Sequence, residues 1–269
     1  MHTELPRPSL GVLNLAGGEE KFKLSRHAAA DALSFFVKHY WIVSWDCADD
    51  QPYLQHVVPN PCVNLVVEPK KTFIYGPSTR KFSYLIHGKG IVFGVKFKPG
   101  GFYPFLNQPV SNLLDRPLEV MSILDLDGPE PEEMILSCAT EQDMVGAMDK
   151  LLLPKMPPQD EQILYVNQMI DYIANEHDIS KVDQVCDRFS IHIRKLQRLF
   201  DQYVGISPKW VIRLHRLQNA AEMMDRRLPM DLARLSTELG YHDQSHFIKD
   251  FKAVVGCTPD EYRRTLQGI

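Results

Sequence analysis

Two stretches of the C-terminal half share one pattern. Val182, Val185 and Ser190 recur as Leu232, Leu235 and Gly240 at an offset of 50 residues. Leu196, Phe200, Gly205 and Pro208 recur as Phe247, Phe251, Gly256 and Pro259 at an offset of 51. One extra residue in the second turn accounts for the change. Each copy sets apolar residues at helical spacing on both sides of a short turn, which is the sequence shape of a helix-turn-helix unit. The tail is therefore constrained to paired short helices, and a repeat of this kind shows architecture before it shows function.

The boundaries of these helices are written in capping residues. Ser180 and Asp231 stand before the first helix of each copy, and Ser207-Pro208 and Thr258-Pro259 open the helix that follows each copy. A hydroxyl or carboxylate accepts from the orphan N–H groups of a first turn, and a proline at the first helical position loses nothing. Glu261 lies at capping-box spacing from Thr258. Ile163, Val166, Ile170 and Ile173 mark one face of an earlier helix. Leu214, Leu217, Ala221 and Met224 mark the inner stripe of a longer one that Pro229 closes.

The N-terminal half has another texture. Tyr40–Trp45, Cys62–Val67, Thr72–Tyr75 and Ile91–Phe97 are short β-branched and aromatic runs, punctuated by Pro59-Asn60-Pro61, Gly76-Pro77, Gly88-Lys89-Gly90 and Pro99-Gly100-Gly101. Such runs predict strands of a β-barrel or sandwich. Thr140 then caps a helix with Met144, Met148, Leu151 and Leu152 on one face, and that face is the expected dimer element. Pro154, Pro157 and Pro158 cannot continue it. The expected layout is a two-domain α+β chain: a β-rich sensory or assembly domain over 1–153, a linker over 154–159, and an all-α domain over 160–269.

With 44% hydrophobic residues in 269, the chain can build real cores without disulfide or metal staples. No apolar run nears the roughly 20 residues of a membrane span. The start, Met1 to Pro8, lacks the basic and apolar segments of a signal peptide, so the expected compartment is the cytoplasm. Cys47, Cys62, Cys138, Cys186 and Cys257 are scattered, as reduced thiols are. No Gly-rich phosphate loop, nucleophile elbow or zinc spacing occurs, and His56 and His87 stand without an HxH pair. No catalytic residue, metal site or cofactor is expected. Tyr40, Trp41, Trp45, Tyr53, Phe73, Tyr75 and Phe82 read first as β-core packing and second as the lining of an apolar pocket, where Arg80 and Lys96 would favour an anionic effector.

The net charge of −4 argues weakly against nucleic acid, yet residues 188–216 carry seven Lys and Arg against Asp201 alone. Screening makes a local basic face matter more than the total. A solvated helix face is the equal alternative on charge alone. The positions between the apolar ones tilt the balance. They are His192, Arg194, Lys195, Gln197 and Arg198 in the first copy, and Asp243, Gln244, Ser245, His246 and Lys249 in the second. Arg forks onto guanine, Gln onto adenine, and Ser or His donates to base or backbone.

Leu196-Gln197-Arg198-Leu199-Phe200, Gly205-Ile206-Ser207-Pro208 and Ala220-Ala221 resemble the first half of an AraC/XylS-type DNA-binding domain. Gly240-Tyr241-His242-Asp243-Gln244-Ser245-His246-Phe247, Gly256 and Thr258-Pro259 resemble the second half. The resemblance implies two helix-turn-helix units joined by a rigid helix near 207–225, each setting its second helix into the major groove of double-stranded DNA. Arg194, Gln197 and Arg198, with Gln244, Ser245, His246 and Lys249, would face bases, while Lys195 and Arg213 would hold phosphate and His192 could reach one. Ser190 replaces the usual turn glycine, which predicts strain, because a residue with a Cβ resists positive φ. His56–Pro59, Cys62–Val66, Gly76–Arg80 and Gly94–Gly101 resemble, more faintly, a β-rich domain that precedes such domains in bacterial regulators, with a cupin-like barrel expected and no ligand implied. RNA polymerase, a small-molecule effector and a second copy of the chain are further candidate partners, and no membrane is expected. The competing reading is a barrel enzyme or ligand-binding protein whose helical part docks a protein.

Overall fold

The computed structural model describes residues 21–47, 52–124, 129–176, 178–225 and 231–267. The N-terminal half contains β1 (Lys23–His27), β2 (Val37–Asp46), β3 (Tyr53–Val57), β4 (Asn64–Glu68), β5 (Lys71–Tyr75), β6 (Phe82–Ile86), β7 (Lys89–Phe97) and β8 (Leu118–Glu119). Six of these form one antiparallel sheet in the order β1-β2-β7-β4-β5-β8, and β3 pairs with β6 separately. The two sheets face each other across a cavity. Strand pairing does not run from one sheet to the other among the described residues, so the expected barrel takes the form of two facing sheets, bridged by the Tyr84 hydroxyl of β6 donating to Glu68 of β4 at 2.9 Å.

Among the described residues, four α-helices cover this half: α1 (Tyr103–Leu106), α2 (Met121–Leu124), α3 (Pro129–Leu136) and α4 (Glu141–Leu152). The Thr140 hydroxyl caps α4 by accepting from the Asp143 N–H at 3.1 Å. Asp149 on α4 is buried and accepts from the Tyr40 hydroxyl at 2.7 Å and the Ala30 N–H at 3.1 Å. Glu141 meets Lys23 at 2.7 Å and His27 at 2.9 Å. These contacts turn Met144, Met148, Leu151 and Leu152 into the chain's own core, where all four are buried. The face expected to pair two copies is therefore covered by the chain's own residues.

Among the described residues, the C-terminal half is built of helices and turns: α5 (Glu161–Asn175), α6 (Val182–Arg188), α7 (Ile193–Leu199), α8 (Pro208–Asp225), α9 (Leu232–Glu238), α10 (Gln244–Val255) and α11 (Pro259–Gln267). Phe200–Val204 extends α7 by a π-helical turn. The stripe on α8 is buried at Leu214, Leu217, Ala221 and Met224, and Pro229 lies outside the described residues. The halves share one hydrophobic core. Asn167 on α5 donates to the Pro99 carbonyl at 2.9 Å, and the Tyr103 and Tyr203 rings lie 4.4 Å apart.

Candidate nucleic-acid interface

The two turns close in the same way. The Ile191 N–H reaches back to the Cys186 carbonyl at 3.0 Å, and the Tyr241 N–H to the Ser236 carbonyl at 2.9 Å. This closure needs a left-handed residue one place earlier. Gly240 supplies it at φ +70°, and Ser190 supplies it at φ +48°. The expected backbone strain at Ser190 is thus present. The extra residue of the second turn is His242, between Tyr241 and the cap Asp243.

The caps of the second helix in the two units differ. Asp243 Oδ1 accepts from the His246 N–H at 2.8 Å at the start of α10. His192 Nδ1 accepts from the Arg194 N–H at 3.2 Å at the start of α7, so this imidazole is first a cap. At α6 the expected Ser180 cap is displaced. Lys181 takes the N-cap position, and Gln184 Oε1 receives both the Ser180 and Lys181 N–H groups at 2.9 Å. A side-chain amide three residues into the helix does the work of a missing hydroxyl. Asp231 caps α9 at 3.0 Å, and Thr258 and Glu261 form their reciprocal box at 2.7 and 3.2 Å.

His192, Arg194, Lys195, Gln197 and Arg198 are all exposed, and so are Gln244, Ser245, His246 and Lys249. Each set rides on a buried stripe: Leu196, Leu199 and Phe200 under α7, and Phe247, Phe251, Val254 and Val255 under α10. Ile193 is the first residue of α7. Its spacing reads as inward, yet it is 37% exposed at the first turn of α7, one helical turn from Gln197. Apolar periodicity could not find it, because an isoleucine counts as core whichever way it points.

The basic run 188–216 is only partly a free surface. Arg213, expected on phosphate, meets Asp250 of α10 at 3.4 Å. The Arg216 guanidinium lies 4.2 Å from the centre of the Tyr241 ring, and the Tyr241 hydroxyl donates to Asp250 at 3.2 Å. Both arginines sit on the side of α8 that carries the second unit. Burial, assisted by Lys38, pushes the His215 imidazole down to about 4, so this α8 side chain is neutral near pH 7. Arg194, Lys195, Arg198 and Lys209 remain exposed.

His56 Nδ1 lies 2.9 Å from the Ser83 hydroxyl, and the His87 carbonyl accepts from the Trp45 indole at 3.0 Å. No helix among the described residues is long and apolar enough to cross a membrane.

Comparison with known proteins agrees with this geometry. A family described as a helix-turn-helix domain matches residues 185–265, and a domain of unknown function (DUF6597) matches residues 25–119. The chain is similar to the arabinose operon regulatory protein of Salmonella typhimurium, 30% identical over 131 residues that cover 44% of each chain. It is similar to the F1 operon positive regulatory protein of Yersinia pestis, 32% identical over 100 residues, 36% of this chain and 33% of the other. Among solved structures, the C-terminal domain of AraT from Geobacillus stearothermophilus is 26% identical over 37% of this chain and 84% of that one, with a TM-score of 0.34. The chain spans less than half the length of the curated relatives it matches. Residues 185–265 thus match a helix-turn-helix domain family and hold two such units in tandem.

Proposed function

We propose that the chain is a sequence-specific, DNA-binding transcriptional regulator of the AraC type. One observation carries this reading: two equivalent helices, 51 residues apart in sequence, each expose a polar comb over a buried stripe. Arg194, Gln197 and Arg198 read one major-groove segment, and Gln244, Ser245, His246 and Lys249 read another about one helical turn, roughly 10 base pairs, away. Ile193 adds an apolar contact suited to a thymine methyl. Lys195 holds phosphate, and the free edge of His192 lies beside it.

The working division is a sensory or assembly unit over 1–153, a linker over 154–159 and a DNA-binding unit over 160–269. A small-molecule effector, a second copy of the chain and RNA polymerase are the partners this role calls for. The cytoplasm is where it would act, as a regulator and not as an enzyme.

The test is the mobility shift of promoter fragments from the chain's own genome at low salt, competed with unrelated DNA. The regulator reading expects a shifted fragment that unrelated DNA displaces only at large excess, with affinity falling as salt rises. Equal displacement by any DNA overturns sequence specificity. No shift at all leaves the helical unit as a protein-docking module.

A further inference from the structure

The two sheets enclose a cavity of about 400 Å³, within the size range of small-molecule sites. Strand alternation decides what faces it. His39, Trp41, Val43 and Trp45 of β2 point inward, with Val92 and Lys96 of β7 beside them. The register pairs His39 with Lys96, Trp41 with Gly94 and Trp45 with Gly90. The two glycines matter for this reason: a Cβ on either would overlap the indole opposite. Both indoles therefore lie down across bare backbone and form an aromatic shelf. Tyr84 of β6 meets Trp45 edge-on at 5.7 Å from the facing sheet.

The cavity is polarised along that shelf. At the His39 end, Arg26 of β1 and Lys96 of β7 bring positive charge into the wall. The lining carboxylates are already engaged. Glu68 accepts from the Tyr84 hydroxyl at 2.9 Å and meets Lys71 at 3.5 Å, and Asp115 accepts from Ser78 at 3.0 Å and Thr79 at 3.4 Å. No hydrogen bond or ion pair reaches the Lys96 ammonium among the described residues. Burial pushes its pKa down, opposed by Cys62 and aided by Lys38 and Arg26, and burial with Lys96, Arg26 and Lys38 holds His39 at about 3. An enclosed ammonium without a counter-charge is costly, and an anion beside it removes that cost.

We propose that this cavity binds a small organic acid with a flat aromatic body, its carboxylate on Lys96 and its ring on the Trp41–Trp45 shelf. From His39 to Trp45 the strand runs about 20 Å, room for two fused or linked rings. As the effector site of a regulator, the proposal rests on the function given above. The binding itself does not.

The experiment is calorimetric titration of the full chain with 4-biphenylcarboxylate, its uncharged carboxamide and octanoate. The expected order is the aromatic acid at least tenfold tighter than both. Lys96→Met should bring acid and amide to within about twofold of each other while leaving amide affinity unchanged. Trp41→Leu should weaken acid and amide alike. Equal affinity of acid and amide for the unmodified chain overturns the cation's role without recourse to any variant. Octanoate as tight as the aromatic acid overturns the shelf, and no binding by any probe overturns the site. The promoter shift is scored separately. Acid binding without DNA binding sinks the regulator reading alone, and DNA binding without acid binding sinks this inference alone.

Discussion

Gly205 and Gly256 hold the same place in the two helix-turn-helix units, each ending a recognition helix in the left-handed region, at φ +79° and +91°. Their surroundings differ. Gly205 is pressed against the N-terminal half, where an added Cβ would stand 2.8 Å from the Pro77 ring and 2.8 Å from the Val110 carbonyl. The residues just before it continue the contact. Gln202 donates to the Tyr103 hydroxyl, and Tyr203 packs on Tyr103 while its own hydroxyl donates to Asp160. At Gly256 the nearest atoms to an added Cβ all belong to the flexible end of one N-terminal side chain, Lys81, and none to backbone. The second unit leans instead on its own aromatic chain of Tyr241, Phe247, Phe251 and Tyr262 and on α8. The repeated pattern therefore builds the same turn closure twice over different caps, while the tertiary partners make the first unit part of the N-terminal half's surface and leave the second more independent.

The sharpest way to break this contrast is to put a Cβ on both glycines. Left-handed φ alone costs an alanine about 1 kcal/mol. Gly256→Ala should lose about that much, since Lys81 can move aside. Gly205→Ala must also displace a proline ring and a backbone carbonyl, raising its loss to about 3 kcal/mol. Denaturant melts of the two variants measure the difference. Equal losses would mean that the two units are held alike.

Next in size are the base contacts. Arg194→Ala and Gln244→Ala should each weaken specific binding by about 1–3 kcal/mol, at positions roughly 10 base pairs apart. Selection of bound sequences from a random pool measures this. If both variants relaxed the same base positions, the two helices would not be reading separate segments.

What the sequence made legible follows from range. The Thr140 and Asp231 caps and the Thr258–Glu261 box involve residues two to four apart, and the repeat is a fixed offset between two such local patterns, so spacing alone reveals them. The strands Val37–Asp46 and Lys89–Phe97 announced themselves through dense β-branched and aromatic runs. Lys23–His27, Tyr53–Val57 and Phe82–Ile86 did not. They are mixed in polarity, and Leu54, Phe82 and Leu85 remain exposed, so only pairing with distant partners defines them. The aromatic set divided for the same reason. Trp41, Trp45, Tyr75 and Phe82 line the cavity, whereas Tyr40 is full core on the other face of β2. At α7 and α10, the ten polar positions between the apolar ones, Asp243 included, are all exposed. That Arg213 turns to Asp250 depends on how α8 crosses α10, which no local pattern encodes.

That crossing gives a smaller effect, private to the second unit. The residue equivalent to Asp250 in the first unit is Leu199, so the latch of Arg213, Tyr241 and Asp250 has no counterpart there. Asp250→Asn should cost about 1 kcal/mol of stability, in the range of a partly exposed pair with one added hydrogen bond. Hydrogen exchange should show the loss in 231–267 and not in 182–204. A loss spread evenly over both units would contradict the independence argued above.

The smallest effect has the opposite sign and tests the turns themselves. Ser190 holds φ +48° where its counterpart is Gly240 at φ +70°. The Schellman closure to Cys186 keeps it there, because releasing the strain would break the Ile191 hydrogen bond and tilt α7 against α6. Glycine removes the Cβ penalty but adds freedom to the unfolded chain, so the two terms partly cancel. The net gain for Ser190→Gly should be about 0.5 kcal/mol, read as a small rise in denaturation midpoint with an unchanged slope. Gly240→Ser should lose about 1 kcal/mol by the same account. If Ser190→Gly also altered DNA affinity, the serine turn would be setting the pose of the first recognition helix as well as joining it to the scaffold.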